Sequence, residues 1–263
     1  MDKNTLLEKF RKGKKLLGFF FNSGTVVSLE VLGALGFDFA VIDAEHCQYD
    51  FHQIEQFIRA AECRGLLPIV RTVDCSRNYI LKTLDMGAMG LFLPFIKTAD
   101  EVRQAVGYAK YPPVGERGLG HAHKVGYGRD PIVLTGRAED YLEWANENTL
   151  VIPQCETAEA AENIEEILAV KGVAGIFIGP YDLSISLGIP CQFDNPKFIS
   201  TVERVRAACV KAGKFVLTMG MTPEAAKQKF DQGFSGVLAT DTFFLTKAAQ
   251  AYLDDIRKIT EGK

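Results

Sequence analysis

No stretch of this 263-residue chain stays apolar for the length of a bilayer span. Its opening, MDKNTLLEKFRKGKK, also lacks the apolar segment of a secretory signal. These absences argue against a membrane or secreted protein and lead us to expect a cytoplasmic one. The six cysteines (Cys47, Cys63, Cys75, Cys155, Cys191 and Cys209) are scattered with no CxxC pair. That spacing favours reduced thiols over a disulfide framework, and no paired Cys or His ligands suit a structural zinc site. An excess of one charge is missing as well: 30 Lys and Arg against 33 Asp and Glu leave a net charge of -3, giving no reason to expect nucleic acid or an anionic membrane as partner. There is no linker, composition break or low-complexity tract, and no GxGxxG follows the first strand pattern, which weakens a dinucleotide-binding fold.

What is present is a regular recurrence. Hydrophobic residues make up 47% of the chain, ample for a closed core. Apolar runs bounded by Gly, Pro or charge recur at Leu17–Phe21, Phe37–Ile42, Leu67–Val70, Gly90–Phe95, Leu150–Cys155, Val173–Ile178, Phe215–Met219 and Gly236–Ala239. Helical patterns fall between them with start signals: Ser76 before Ile80, Leu81 and Leu84; the capping-box sequence Thr98-Ala99-Asp100-Glu101; Thr157 before Ala160 and Ile164; and Thr222-Pro223. Gly87 and Gly172 are the expected stops. Repeated βα units of this kind predict an α/β protein of one domain, a (β/α)₈ TIM barrel rather than a doubly wound sheet.

In such a barrel, polar residues at strand C-termini are the first catalytic candidates. The second run ends Asp43-Ala44-Glu45-His46, which puts a histidine beside carboxylates and suits proton transfer. Arg71 ends the third and could donate to a carboxylate or a developing oxyanion, or form a structural ion pair. Glu156 and Asp182 follow the fifth and sixth runs, with Gly179-Pro180 shaping the second turn. Each alone could be a helix cap; together they suit a divalent cation such as Mg or Mn. Lys97 reads as a solvated loop residue and Lys214 falls on the opposite rim, so a Schiff-base lysine is the weaker option. Cys47 reads better as a small packed side chain than as a nucleophile. Asp85 reads as a surface charge, and Asp241 as a rim residue or the acid at the start of the last helix. The Gly- and His-rich segment from Tyr111 to about Asp130, with His121 and His123, is an irregular loop of functional length. The pattern from Thr242 to Ile259 carries more apolar residues than one helix face needs, which points either to subunit contact or to a fully buried helix.

The motifs DAEH (Asp43–His46), VR (Val70–Arg71), LDMGA (Leu84–Ala88), YPPVGERG (Tyr111–Gly118), QCE (Gln154–Glu156) and GPYDLS (Gly179–Ser184) occur in that order. Together they resemble the HpcH/HpaI family of metal-dependent (class II) pyruvate aldolases, from about Leu17 to the last helix. The resemblance implies a (β/α)₈ barrel assembled as a hexamer, a trimer of dimers, with helix 242–259 exchanged between partners. It implies that Glu156 and Asp182 bind Mg, Mn or Co, and that Arg71 contacts the keto oxygen of pyruvate. His46 paired with Asp43 would be the acid/base, Asp85 would reach a neighbouring subunit's site, and Gly179 and Pro180 would receive the pyruvate carboxylate. The implied activity is reversible cleavage of a 4-hydroxy-2-oxoacid to pyruvate and an aldehyde, both small molecules. Two other readings are a malyl- or citramalyl-type thioester lyase and a non-catalytic barrel serving as a binding subunit. The chain departs from the family pattern at Gly120–His123 and at Tyr181, near where the aldehyde would sit.

Overall fold

Alternate residues of a β-strand face opposite sides, and here the two sides are two different cores. Leu16 and Phe20 of β1 (Leu16–Phe21) face inward, as do Phe39 and Val41 of β2 (Phe39–Asp43), Leu67 and Ile69 of β3 (Leu67–Arg71) and Phe92 of β4 (Gly90–Leu93). They are joined by Leu150 and Ile152 of β5 (Leu150–Cys155), Phe177 of β6 (Gly175–Ile178), Phe215 and Leu217 of β7 (Phe215–Met219) and Leu238 of β8 (Gly236–Thr240). The residues between them, among them Phe19, Ile42, Val70, Leu91, Val151, Ile176 and Val216, pack outward against helices. Every pairing is parallel, and β1 pairs with both β2 and β8, so the sheet closes into the expected eight-stranded barrel. This computed structural model describes residues 4–129 and 137–261; Asp130, the expected end of the loop after β4, lies outside them.

Glycine makes room where inward rings cross the barrel. A Cβ on Gly18 would lie 2.3 Å from the Phe39 ring, and one on Gly175 would lie 2.2 Å from the Phe215 ring. Below them α1 (Thr5–Arg11) closes the N-terminal end, with Leu6 in the inner core and Phe10 edge-on to Phe215 at 5.7 Å. Asn4 caps α1 and ties it to Asn148, donating from its backbone N–H to Asn148 Oδ1 at 2.7 Å and from Nδ2 to the Asn148 carbonyl at 2.8 Å.

The outer helices begin where the sequence signals them. Thr25 caps α2 (Val26–Ala34), and Asp50 and Gln53 form a capping box on α3 (Phe51–Cys63). Ser76 caps α4 (Arg77–Asp85), and Thr98 with Glu101 boxes α5 (Ala99–Ala109). Then come α6 (Ala138–Asn148), α7 (Ala158–Glu162) capped by Thr157, and α8 (Ile164–Ala169). The single helix expected after Thr157 is thus two, broken at Asn163, whose side chain donates instead to the Lys97 carbonyl at 2.9 Å. After β6 and β7 follow α9 (Pro180–Ser186), α10 (Pro196–Lys211) and α11 (Pro223–Asp231), the last capped by Thr222.

The run expected as a strand from Val173 pairs regularly only from Gly175; Val173 makes one isolated bridge to Val151. The final helix, α12 (Asp241–Glu261), settles one alternative. Phe244 packs 5.5 Å from Phe37, but Leu245, Tyr252, Leu253, Ile256 and Ile259 stay exposed, so the helix is not buried within this chain. Among the described residues no helix is long and apolar enough to cross a membrane.

Candidate active site

The inward parity of each strand carries past its last apolar residue and decides which polar side chains meet at the C-terminal rim. Counting in twos from Leu16 and Phe20 leads to Asn22; from Phe39 and Val41 to Asp43; from Leu67 and Ile69 to Arg71. The same count from Leu150 and Ile152 leads to Gln154 and Glu156, and from Phe177 to Gly179. All of these strand ends but the fully buried Gln154 join His46, Pro180, Tyr181, Asp182, Met219 and Thr240 around a cavity of about 430 Å³. Phe20 and Phe177 form its apolar floor and stack edge-to-face at 5.4 Å.

Asp43 and Arg71 form the buried hinge of the site. Arg71 donates from Nε to Asp43 Oδ1 at 2.9 Å and from Nη2 to Oδ2 at 2.6 Å, a two-pronged pairing made possible because the two residues are register partners on β2 and β3. The guanidinium lies 4.6 Å from the centre of the Phe20 ring. Asp43 also accepts from the backbone N–H groups of Glu45 and His46, each at 3.2 Å, and from Asn22 Nδ2 at 2.8 Å. Burial alone would raise the Asp43 carboxyl, but the Arg71 guanidinium and the His46 N–H outweigh it and hold it below the usual carboxylate range. The expected His46–Asp43 pairing therefore runs through the backbone. The imidazole has no hydrogen bond among the described residues and stands exposed on the cavity wall.

Across the cavity, Glu156 is buried at the end of β5. Its Oε1 accepts from Phe95 N–H at 2.5 Å and its Oε2 from Gln154 Nε2 at 2.8 Å. Phe95 pays for this contact with a left-handed backbone, φ 54°, uncommon for a bulky residue. Burial pushes the Glu156 carboxyl up to about 7; the Phe95 N–H opposes that, and the charges of Glu45 and Asp182 add to it. Glu45 is raised as well, by burial first, with Arg71 offsetting part of it. Its Oε2 is buried without a hydrogen bond, although Arg71 Nη1 lies 3.2 Å away. Asp182, expected in a loop, sits in the first turn of α9 and is exposed.

The donor set can be tested against a divalent cation. Among the described residues no group of three or more His, Cys, Asp and Glu side chains is arranged to hold a metal. Yet Glu45, Glu156 and Asp182 repel one another around one arginine, which Asp43 already engages. Two hard carboxylates with an unbalanced negative charge fit a cation that keeps its remaining positions for water or substrate. The residues present fit the group.

Asp85 ends α4 outside the cavity, and its Oδ1 accepts from the buried Arg117 at 2.7 Å rather than standing free as a surface charge. His123 pairs with Glu62 at 2.8 Å; neither it nor His121 lines the cavity. Lys97 is a loop residue, and Lys214 is turned to the N-terminal rim, where it donates to the Leu168 carbonyl at 2.6 Å. Cys47 Sγ sits 3.3 Å from Asn22 Nδ2. Asp241, at the start of α12, accepts from the backbone N–H groups of Asn22 and Ser23 at 2.9 and 3.0 Å. The sequence assigns no role to Asn22 or Phe95, and none to Gln154 beyond its place in the QCE motif; strand parity points to Asn22 and Gln154, while the Phe95 conformation leaves no sequence signal.

The sequence profile of the HpcH/HpaI aldolase/citrate lyase family matches residues 16–242. A 2-keto-3-deoxy-L-rhamnonate aldolase of Escherichia coli O17:K52:H18 is 34% identical over 250 residues, 93% of this chain and 90% of its own length. A crystal structure of an HpcH/HpaI aldolase/citrate lyase family protein from Burkholderia cenocepacia J2315 superposes with a TM-score of 0.89 at 30% identity, covering 97% of this chain and all of that one (100%). The citrate synthase SbnG superposes with a TM-score of 0.86, also at 30% identity, over 97% of this chain and 98% of its own.

Proposed function

The chain belongs to the HpcH/HpaI aldolase/citrate lyase family, and from that premise we propose that it is a class II pyruvate aldolase. It would reversibly cleave a 4-hydroxy-2-oxoacid to pyruvate and an aldehyde. The observation that carries this reading is the cavity itself. Buried Glu156 and nearby Asp182 face a guanidinium locked on Asp43, with an exposed imidazole beside them.

Glu156 and Asp182 would hold the cation, Mg, Mn or Co, which supplies Lewis acidity toward the 2-oxo oxygen of the substrate. Arg71, held in place by its two hydrogen bonds to Asp43, opposes the negative charge that grows on that oxygen as the C3–C4 bond breaks. His46, exposed and free of hydrogen bonds among the described residues, takes the proton of the 4-hydroxyl and returns it in the synthetic direction. Gly179 and Pro180 form the turn against which the pyruvate carboxylate rests. Gln154 and Phe95 keep the two oxygens of Glu156 apart and oriented. Asp85 lies outside this chain's own cavity, so a role for it requires a neighbouring subunit. The exposed apolar face of α12 supports an assembly, a hexamer of exchanged dimers, that would supply one.

Metal-stripped protein is expected to release no pyruvate, and Mg, Mn or Co to restore release. His46→Ala should slow turnover by about 10²–10⁴-fold. Undiminished turnover in chelator, or a substrate trapped on lysine by borohydride, would overturn the proposal.

A further inference from the structure

The strand order divides the wall of the cavity into two sectors. Arg71, Glu156 and Asp182 come from β3, β5 and the helix after β6, and His46 follows β2. If those residues hold the pyruvate half and the C4 hydroxyl, as proposed above, the sector from β7 through β8 to β1 faces the aldehyde half. Its lining residues are Met219, Thr240, Phe20 and Asn22.

Asn22 differs from the others in that its side-chain amide has one possible orientation. An ionised carboxylate only accepts hydrogen bonds. Asp43 is held ionised by Arg71, so the atom 2.8 Å from its Oδ2 must be the amide nitrogen. That nitrogen also points to Cys47 Sγ at 3.3 Å, which engages its second hydrogen. The carbonyl oxygen Oδ1 is thereby turned away from Asp43. It has no hydrogen-bond partner among the described residues, and it is not one of the buried side-chain atoms without a partner. The main chain cannot swing, because Asp241 takes the N–H groups of both Asn22 and Ser23. Thr240 offers less: its hydroxyl oxygen already accepts from Phe243 N–H at 3.1 Å and lies 3.2 Å from that of Thr242. Met219 and Phe20 offer no comparable acceptor.

We propose that Asn22 Oδ1 is a specificity-determining acceptor for a hydroxyl group on the aldehyde half of the substrate. The Asn22 amide and the His46 backbone N–H are both bonded to Asp43 and both residues line the cavity, so an acceptor on Asn22 falls on the side of the C4 hydroxyl that His46 serves. The group it reads is on the adjacent carbon, C5. The preferred substrates are then 4,5-dihydroxy-2-oxoacids, and the aldehydes they release are α-hydroxyaldehydes. An aldehyde lacking that hydroxyl leaves a fixed, desolvated oxygen unpaired, which is the arrangement that discriminates best.

This inference rests on the aldolase reading, and the experiment separates the two. Metal-loaded enzyme is given pyruvate with glycolaldehyde or with acetaldehyde, which differ by one hydroxyl, and the ratio of the two kcat/KM values is taken. Asn22→Leu and Asn22→Ala are compared with wild type, so that intrinsic aldehyde reactivity cancels. Loss of one neutral hydrogen bond should lower the ratio about tenfold. A merely structural role would slow both aldehydes alike. Should the variants fail to fold, wild type alone decides: the KM for 4,5-dihydroxy-2-oxopentanoate should lie about tenfold below that for 4-hydroxy-2-oxopentanoate. Deuterium uptake into the pyruvate methyl, which needs no aldehyde, reports on the enolate chemistry. Uptake by wild type with an unchanged aldehyde ratio overturns the role of Asn22 and leaves the aldolase standing; neither uptake nor aldol formation overturns both.

Discussion

The two rims of the barrel both bury charge, and they do so in opposite ways. At the N-terminal rim the buried Lys110 donates to the carbonyls of Asn146, at 2.6 Å, and Thr149; Lys15 donates to the Phe234 carbonyl at 3.1 Å, and Lys214 to that of Leu168. Helices run back toward this rim, so their unpaired carbonyls collect there and the lysines satisfy them. At the C-terminal rim the buried charges face one another instead: Glu156 and Glu45 repel, and one Glu45 oxygen has no hydrogen bond. Charge satisfied by backbone holds a fold together, whereas charge left unbalanced around a cavity waits for a ligand.

That contrast predicts that substitutions at the two rims will separate activity from stability. The largest effect should come from Glu156→Gln, which lowers kcat/KM by about 10²–10³-fold. Because it removes a repelled, buried charge, the Tm of metal-free protein at pH 8 should hold or rise. A large fall in Tm would break the comparison. Lys110→Met should do the reverse. It orphans two carbonyls at a cost of about 1–3 kcal/mol in a denaturant titration and leaves turnover per folded molecule unchanged.

Acidity sharpens the same point. Glu156 is raised to about 7, so the folded protein binds that proton more tightly than the unfolded chain does. Its contribution to stability declines as pH rises from about 4.5 to about 7, and is flat above. Lys110 is pulled down to about 7, by burial first and then by Arg117, so the folded protein binds its proton less tightly. The resulting penalty is fully present below pH 7 and fades toward about pH 10.5. Metal-free Tm curves should therefore lose their lower arm in Glu156→Gln and their upper arm in Lys110→Met. The smallest effect marks the baseline for exposed charge: Asp231→Asn, which breaks the surface pair with Lys227 on α11, should change stability by less than about 0.5 kcal/mol.

The barrel was legible from recurrence alone, since runs such as Leu150–Cys155 and Phe215–Met219 coincide with strands residue for residue. Caps were equally legible, because Thr98, Thr157 and Thr222 act over three residues. The strand-end candidates Asp43, Arg71 and Glu156 do converge, for parity brings them inward. What the sequence hid depends on contacts between distant segments. Asp85 looks solvated until Arg117, from the loop after α5, reaches it. Asp182 looks like a loop residue because Gly179, unlike Thr222 before Pro223, brings no side-chain cap to mark the start that Pro180 makes. Asn22 looks like a turn residue, and only its bonds to Asp43 and Asp241, the latter 219 positions away, give it a place in the site.

The rings of Phe39 and Phe215, admitted by Gly18 and Gly175 and sealed from below by Phe10, stopper the barrel at one end. A vessel corked at its base has a single mouth. Whatever two fragments are made inside must share one exit, the rim where His46, Tyr181 and Asp182 stand.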